Sequence, residues 1–474
     1  MLVVAAVTAV AGALRLTELD RPHRKVFDEI YYATDGCWYA GIDYRECGLK
    51  SDAERSWVHP PLGKQLIALG IDAFGNDPFG WRVAAAVAGM LTVGMIGLLA
   101  FLLFRSELWA AVAALLLATE HLHFVQSRIA MLDVFLAMFV VLGFLLVVAD
   151  RRSRDRAGPV VAGGADGDPP AAPGLGLREE EGEEDDTHEP EVPAAPRERW
   201  LWRPWLFLAG AAFGAAIAVK WSGALALAGA GILVVLWDFL LLRRRRGPGG
   251  AGRFGRVFLA WYLAFAVLPL LVYAAAWIPW VARPEHALED LAGHHVDMAR
   301  FHWNLETETS AGNPIHPYMS RAWSWLLLTR PVSYYWQGDP DCCREILGVG
   351  NPLLFLGALI VVPYLLVVRW RDWRAWVSVV PVLVQYLPWL LVARPLFLFY
   401  MTPVTPFLAL AMTHALRDIS GARARRVRLA PAAGLVLAVS LMAFLYLWPL
   451  LIGSPLSRPA WEARIVRIGI WNWV

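Results

Sequence analysis

Residues 83–104 read VAAAVAGMLTVGMIGLLAFLLF, a stretch without one charged side chain. A run of about 20 apolar residues, wound as a helix, crosses the hydrocarbon core of a bilayer. Comparable runs recur at 206–219 and 429–451. The chain is 58% hydrophobic with a mean hydropathy of +0.46, whereas a soluble domain has roughly 45–50% apolar residues. It therefore reads as an all-α polytopic membrane protein. About 11 spans are expected, at 1–16, 81–104, 108–123, 129–149, 204–219, 222–242, 257–280, 351–368, 375–392, 396–415 and 429–451. The first is short, because Arg15 follows 13 apolar residues after Met1. A start further upstream is expected; no basic stretch precedes the run to mark a cleaved signal peptide.

Arginines set the orientation. Arg151, Arg152 and Arg154, the run 243–246, Arg369, Arg371 and Arg374, and Arg423, Arg425, Arg426 and Arg428 fall on one side of this count. That side is cytoplasmic by the positive-inside rule. The N-terminus is then cytoplasmic, and loops 17–80 and 281–350 and the tail 452–474 lie outside the plasma membrane. Three regions follow: an N-terminal transmembrane module at 1–149, a cytoplasmic linker at 150–203, and a C-terminal module at 204–474. The linker is rich in Pro, Gly and Ala and carries nine acids between Glu179 and Glu191, a composition expected to be disordered. Many of the 24 Trp, among them Trp81, Trp280, Trp323, Trp389 and Trp448, sit near span ends, where amphipathic rings anchor at the interface. A net charge of +2 gives no nucleic-acid signature.

Chemistry concentrates on the outer side. Asp28 and Glu29 lie within Phe27-Asp28-Glu29-Ile30-Tyr31-Tyr32, and His59-Pro60-Pro61-Leu62-Gly63-Lys64 follows on the same loop. Charges beside a bilayer are costly to desolvate and mark function, although an acidic turn at a span end is the plainer reading of the pair. Residues 62–74 place Leu62, Leu66, Leu69 and Ala73 on one helical face. That suits an interfacial helix presenting His59 and Lys64 to a lipid headgroup, or simply a brace. Arg128 and Asp133 are expected to pair across about one helical turn. Lys220, in the turn Lys220-Trp221-Ser222-Gly223, and Arg394 with Tyr400 are candidates for a phosphate; snorkelling at span ends is the plain alternative. Nucleotide loops, zinc spacings and nucleophile elbows are missing from the sequence, so no metal or cofactor is required, though a divalent ion is not excluded. All four cysteines (Cys37, Cys47, Cys342 and Cys343) fall on the outer loops. Cys37–Cys47 closes a short loop, adjacent Cys342 and Cys343 would strain a mutual bond, and three pairings stay open.

The same segments, taken in order, carry a resemblance. Besides the two already quoted they are Gly80-Trp81-Arg82, Leu122-His123-Phe124-Val125-Gln126-Ser127-Arg128-Ile129-Ala130-Met131-Leu132-Asp133, Lys220-Trp221-Ser222-Gly223, His316-Pro317-Tyr318 with Trp323-Ser324-Trp325, Arg330-Pro331-Val332-Ser333-Tyr334-Tyr335-Trp336 and Gly350-Asn351-Pro352. Along nearly the whole chain this resembles the protein O-mannosyltransferases in their actinobacterial form. The resemblance implies a type-C glycosyltransferase (GT-C) fold, a polyprenyl-phosphate mannose donor, and a Ser or Thr acceptor on a secreted protein crossing the membrane. Coupling to the protein-export machinery fits that acceptor. The family's catalytic acidic pair matches Asp28 and Glu29. Loop 281–350 is too short to hold the lumenal sugar-binding domain of the eukaryotic members. Adjacent Cys342-Cys343 departs from the spaced pair expected there, which leaves the outer-loop disulfide in doubt.

The expected reaction is inverting mannosyl transfer. Asp28 takes the hydroxyl proton; Glu29 orients acceptor or sugar. Lys64, Arg82 and Arg394, with His59 and Tyr400 as donors, meet the leaving phosphate. Arg128, Asp133 and Lys220 belong to the same candidate substrate site. Two rivals are transfer to a glycolipid or polysaccharide, and a transporter. A transporter places ionisable residues near mid-membrane and shows internal repeats; here they sit at outer span ends.

Overall fold

The computed structural model describes residues 1–156, 202–244, 250–283, 286–309, 314–339, 342–423 and 430–473. In chain order the helices are α1 (Leu2–Leu16), α2 (Glu29–Tyr39), α3 (Leu62–Phe74), α4 (Pro78–Phe104), α5 (Glu107–Ala118), α6 (His121–Gln126), α7 (Asp133–Arg156), α8 (Pro204–Val219) and α9 (Gly223–Arg244). Then come α10 (Gly250–Tyr262), continued through a π turn at Leu263–Val267 into α11 (Leu268–Ala276), α12 (Ile278–Val281), α13 (Asp290–Trp303), α14 (Pro352–Val368), α15 (Trp373–Tyr386), α16 (Thr405–Arg423) and α17 (Ala430–Ile452). Among the described residues, six helices are long and apolar enough to cross a membrane; α1, α5, α8 and α14 are shorter apolar helices. The chain is thus a multi-pass membrane protein, with six helices meeting the length and apolarity of a span against the eleven expected; the tenth expected span, 396–415, is not a continuous helix, because α16 begins only at Thr405.

Local chemistry sets the helix ends. Pro78 opens α4 behind Asp77, whose carboxylate accepts the Gly80 N–H at 2.9 Å, and Pro352 opens α14 behind Asn351, which accepts the Leu353 N–H at 3.0 Å. Both follow the preference for an Asx cap and proline in the first turn. α4 packs against α1, α3, α5 and α7, and α7 packs along α8. Lipid is as apolar as leucine, so such helices associate by close fit. Gly210 and Gly214 of α8 show it: a Cβ at either would collide with the backbone at Ala264 or Pro269.

The structure adds elements that the apolar runs did not reveal. Loop 281–350 holds α13 and an antiparallel hairpin, β1 (Val332–Gly338) and β2 (Cys342–Gly348), with a bulge between Ser333 and Tyr335. The tail 453–473 folds over this loop. Trp461 Nε1 donates to Glu345 at 2.7 Å, and Asn472 N and Trp473 Nε1 each donate at 2.9 Å to the carbonyls of Thr329 and Leu328. Loop and tail therefore share one end of the bundle. Cys37 and Cys47 form a disulfide, and Cys343 is free and buried.

The expected linker at 150–203 lies, for 157–201, outside the described residues. Its margins differ from expectation. α7 continues through Asp150 to Arg156. Arg203 is buried between two carboxylates, reaching Asp150 at 2.5 Å and Asp238 at 2.6 Å. A buried guanidinium needs such partners, because its desolvation is otherwise uncompensated.

Candidate active site

Loop 17–80 is fixed by two buried ion clusters that contain three of the expected site residues. Glu29, 0% exposed, accepts from Arg82 Nε at 2.7 Å and Nη2 at 2.8 Å, and from the N–H groups of Val26 and Ala130 at 2.9 Å each. Arg82 gives its remaining hydrogens to the carbonyls of Leu19, Pro22 and Arg24 at 2.9–3.1 Å. The roles expected for this pair do not match the geometry. Every strong acceptor direction of Glu29 and every donor of Arg82 is already used, so neither is free for sugar, acceptor or phosphate. They pin residues 19–29 to α4 and to the segment before α7.

Lys64 also lies elsewhere than expected. Residues Gly63, Lys64, Ile67, Ala68, Gly70 and Ile71 form the buried face of α3, whereas Leu69 is 63% exposed. Lys64 Nζ bonds Glu54 at 2.5 Å and the Ser56 carbonyl at 3.1 Å, with Asp35 at 3.9 Å. Asp35 accepts the N–H groups of Arg55 and Ser56 at 2.6 and 2.8 Å. Burial pushes the Asp35 carboxyl up to about 6 against the pull of Lys64. This cluster holds the strand of loop that carries Val58 and His59. Arg128 gives its hydrogens to the carbonyls of Leu14, Arg15, Thr17 and Glu18 at 2.7–3.3 Å; it does not pair with Asp133.

The other candidates converge. A cavity of about 150 Å³ is lined by His59, Asp133, Lys220, His302, Arg394 and Tyr400, with Trp221, Gln385 and Trp389 among its walls. Lys220 follows the last turn of α8 in extended backbone and bonds both oxygens of Asp133, the first residue of α7, at 2.9 Å. Its ammonium also lies 4.9 Å from the centre of the Tyr400 ring. Arg394 stands on irregular backbone and Tyr400 in a short 3-10 turn, Leu398–Met401, between α15 and α16, where Pro395 and Pro403 interrupt α-helix. Non-helical backbone at membrane depth is tolerated where it lines a cavity. Arg394 Nη2 donates to the Tyr400 hydroxyl at 3.3 Å and Nη1 to His302 Nδ1 at 2.9 Å. Burial, then the Lys220 charge, holds the His59 imidazole neutral, well below its usual range.

Asp28 stands beside this cavity, and its carboxyl feels the charges of two lining residues. Burial raises it from the usual carboxylate range to about 7, against Lys220, which lowers it; Asp133 adds to the rise, and a Tyr32 hydrogen bond opposes it. The ordinary carboxylate expected from sequence is thus a better base near neutrality. Phe27, the preceding residue, has φ +46°, a left-handed backbone that a bulky side chain adopts only when its surroundings impose it. Its ring is held edge-on by Tyr334 at 5.1 Å, His316 at 5.6 Å and Phe399 at 5.8 Å. Beyond this turn Glu29 bonds Arg82, while the Asp28 carboxyl feels Lys220 and Asp133 of the cavity lining.

His302 and Gln385 were not singled out from sequence, and Trp389 and Trp221 were named there only as a span-end anchor and as a neighbour of Lys220. His302 had only a His-bearing helix, His294-His295 and His302, to draw attention. Among the described residues, no group of three or more His, Cys, Asp or Glu is placed to hold a metal.

Known proteins match this arrangement over its whole length. The family described as Dolichyl-phosphate-mannose-protein mannosyltransferase matches residues 74–158, and the C-terminal four TMM region of protein-O-mannosyltransferase matches residues 287–467. The polyprenol-phosphate-mannose–protein mannosyltransferase of Mycolicibacterium smegmatis is 30% identical, covering 97% of this chain and 91% of that one. Its Mycobacterium tuberculosis counterpart is 29% identical, covering 97% and 89%. Among solved structures, the S. cerevisiae protein O-mannosyltransferase Pmt1-Pmt2 complex bound to the sugar donor superimposes with a TM-score of 0.71 at 15% identity, covering 100% of this chain and 92% of that one. ArnT from Cupriavidus metallidurans, bound to undecaprenyl phosphate, gives 0.54 at 19% identity, covering 94% and 63%. The fold is that of the type-C glycosyltransferases, and the chain belongs to the protein O-mannosyltransferase family.

Proposed function

We propose that this chain transfers mannose from polyprenyl-phosphate mannose to Ser or Thr hydroxyls of secreted proteins, with inversion, at the outer face of the plasma membrane. The observation that carries the reading is one cavity lined by two cations, Lys220 and Arg394, beside a carboxylate raised to about 7, Asp28. A donor phosphate meets the cations; the acceptor hydroxyl approaches from the Asp28 side. The acceptor oxygen bonds to the anomeric carbon as the bond from that carbon to the phosphate oxygen breaks, and Asp28 receives the hydroxyl proton. The phosphate leaves with its new charge facing Lys220, Arg394 and the Tyr400 hydroxyl. Removing one such preorganised group typically costs about 10²–10³ in rate. His59, neutral and lining the cavity, serves the sugar as a hydrogen-bonding group. Glu29, Arg82, Lys64 and Arg128 act at a distance, by holding the loops. A protein acceptor arriving on the outer side is one emerging from the export machinery, and the N-terminus then lies in the cytoplasm.

The test uses membranes containing the chain, labelled polyprenyl-phosphate mannose and a Ser/Thr-rich peptide, with Asp28→Asn alongside. Label in the peptide that Asp28→Asn abolishes is the expected result. Label only in glycolipid or polysaccharide would replace the acceptor, and full transfer by a well-expressed Asp28→Asn would remove the base.

A further inference from the structure

Arg394, half-buried in the cavity wall, differs from Arg82, Lys64 and Lys220 in the kind of partner it keeps. Arg82 is neutralised by Glu29, Lys64 by Glu54 and Lys220 by Asp133. Among the described residues no carboxylate pairs with Arg394. Its partners are His302 Nδ1 at 2.9 Å, the Tyr400 hydroxyl at 3.3 Å, and the rings of Trp389 and Tyr400 at 5.6 and 5.9 Å. These orient a guanidinium without cancelling its charge, which is what an arriving phosphate needs.

A guanidinium can only donate, so Nδ1 of His302 must accept. The ring proton then sits on Nε2, which donates to the Val58 carbonyl at 2.9 Å. His302 is thereby clamped at both nitrogens in its neutral form, in the last turn of α13. Its ring stands 5.4 Å from His59 and 6.2 Å from Trp221. The charged and titratable groups around it are Arg394, Lys220 and His59, and none favours a second proton. Arg394, by contrast, lies on irregular backbone. His302 ties it both to α13 and, through Val58, to loop 17–80.

Resting on the phosphate reading above, we propose that His302 is a positioning residue that holds Arg394 toward the donor phosphate. It acts through Arg394 and touches no reacting atom. Two consequences separate this role from a merely structural one. Loss of His302 impairs use of the donor and leaves the acceptor KM unchanged, and it adds nothing once Arg394 is gone.

The experiment is a double-mutant cycle on the full chain, purified and assayed with polyprenyl-phosphate mannose and a Ser/Thr peptide. His302→Ala is expected to lower kcat/KM for the donor about 10- to 100-fold, the range for losing one hydrogen bond to a charged group. Arg394→Ala lowers it at least as much, and the double variant equals Arg394→Ala. His302→Asn, which keeps an acceptor near Nδ1, recovers most of the loss. Effects that multiply in the double variant, or normal donor use by His302→Ala while Arg394→Ala fails, would overturn the proposal. Normal donor use by Arg394→Ala would instead remove the phosphate reading itself. Should His302→Ala not fold, His302→Asn against His302→Gln takes its place: equal donor kcat/KM in the two overturns the role, and a selective loss in Gln supports it.

Discussion

Replacing Glu29 by Gln exchanges one oxygen for an NH2 group and is conservative by shape, yet the structure makes it severe. One carboxylate oxygen accepts from Arg82 Nε and Ala130 N, the other from Arg82 Nη2 and Val26 N, all at 2.7–2.9 Å. Whichever way the amide turns, its nitrogen faces two donors and two bonds are lost. Hydrogen bonds to charged groups contribute about 1.5–3 kcal/mol each, so the loss is about 3–6 kcal/mol. That overlaps the about 3–5 kcal/mol for breaking a buried ion pair. Thermal unfolding of purified protein should show the midpoint falling by about 3–6 °C, with transfer lost in proportion to unfolded loop. If Glu29 touched the acceptor, Glu29→Gln would instead keep its midpoint and raise the acceptor KM. An unchanged midpoint would refute the assignment of Glu29 to the scaffold.

Asp28 must be charged to accept a proton, and it is protonated below about 7; kcat/KM should therefore rise as pH climbs through about 7 and flatten above it, and a limb centred near pH 4 would contradict the raised value. Lys220→Met should lower donor kcat/KM by about 10²–10³ and leave the acceptor KM alone, as read in donor titrations. Lys64→Ala should lower the unfolding midpoint by leaving Glu54 and Asp35 buried without their cation; a higher donor KM at an unchanged midpoint would return Lys64 to the phosphate. Chelation of divalent ions should leave transfer intact, and loss of activity restored by one divalent ion would overturn the metal-free chemistry.

The long apolar helices were legible because apolar runs report the bilayer directly, whereas the tenth expected span was not, because Pro395 and Pro403 delay its helix to Thr405. The candidate site was legible as a set of rare charges on the loops and span ends, but the partner of each charge was not. Lys220 and Asp133 are 87 residues apart, and Arg394 and His302 are 92; packing of α7 on α8 brings the first pair together, and the second meets only because the segment before α16 folds back to the end of α13. Sequence adjacency misled at Asp28-Glu29, where the left-handed turn at Phe27 sends neighbouring carboxylates to different tasks. It misled again at Arg128 and Asp133, because the intervening residues form a turn. The hairpin had a local signal, the aromatic and β-branched run Val332-Ser333-Tyr334-Tyr335-Trp336 closed by Gly338, which the search for apolar spans passed over.

Lys220 bonded by both oxygens of Asp133 gives the cavity a resident competitor for its cation. An incoming phosphate must displace a carboxylate, and the departing polyprenyl phosphate is displaced by the same carboxylate in return. A site with two unopposed cations would hold its lipid product as firmly as its substrate and stall. On the proposed reading, with Asp133 held at 2.9 Å from the Lys220 ammonium, turnover exchanges one anion for another at that cation, with no wait for water to solvate a bare ammonium.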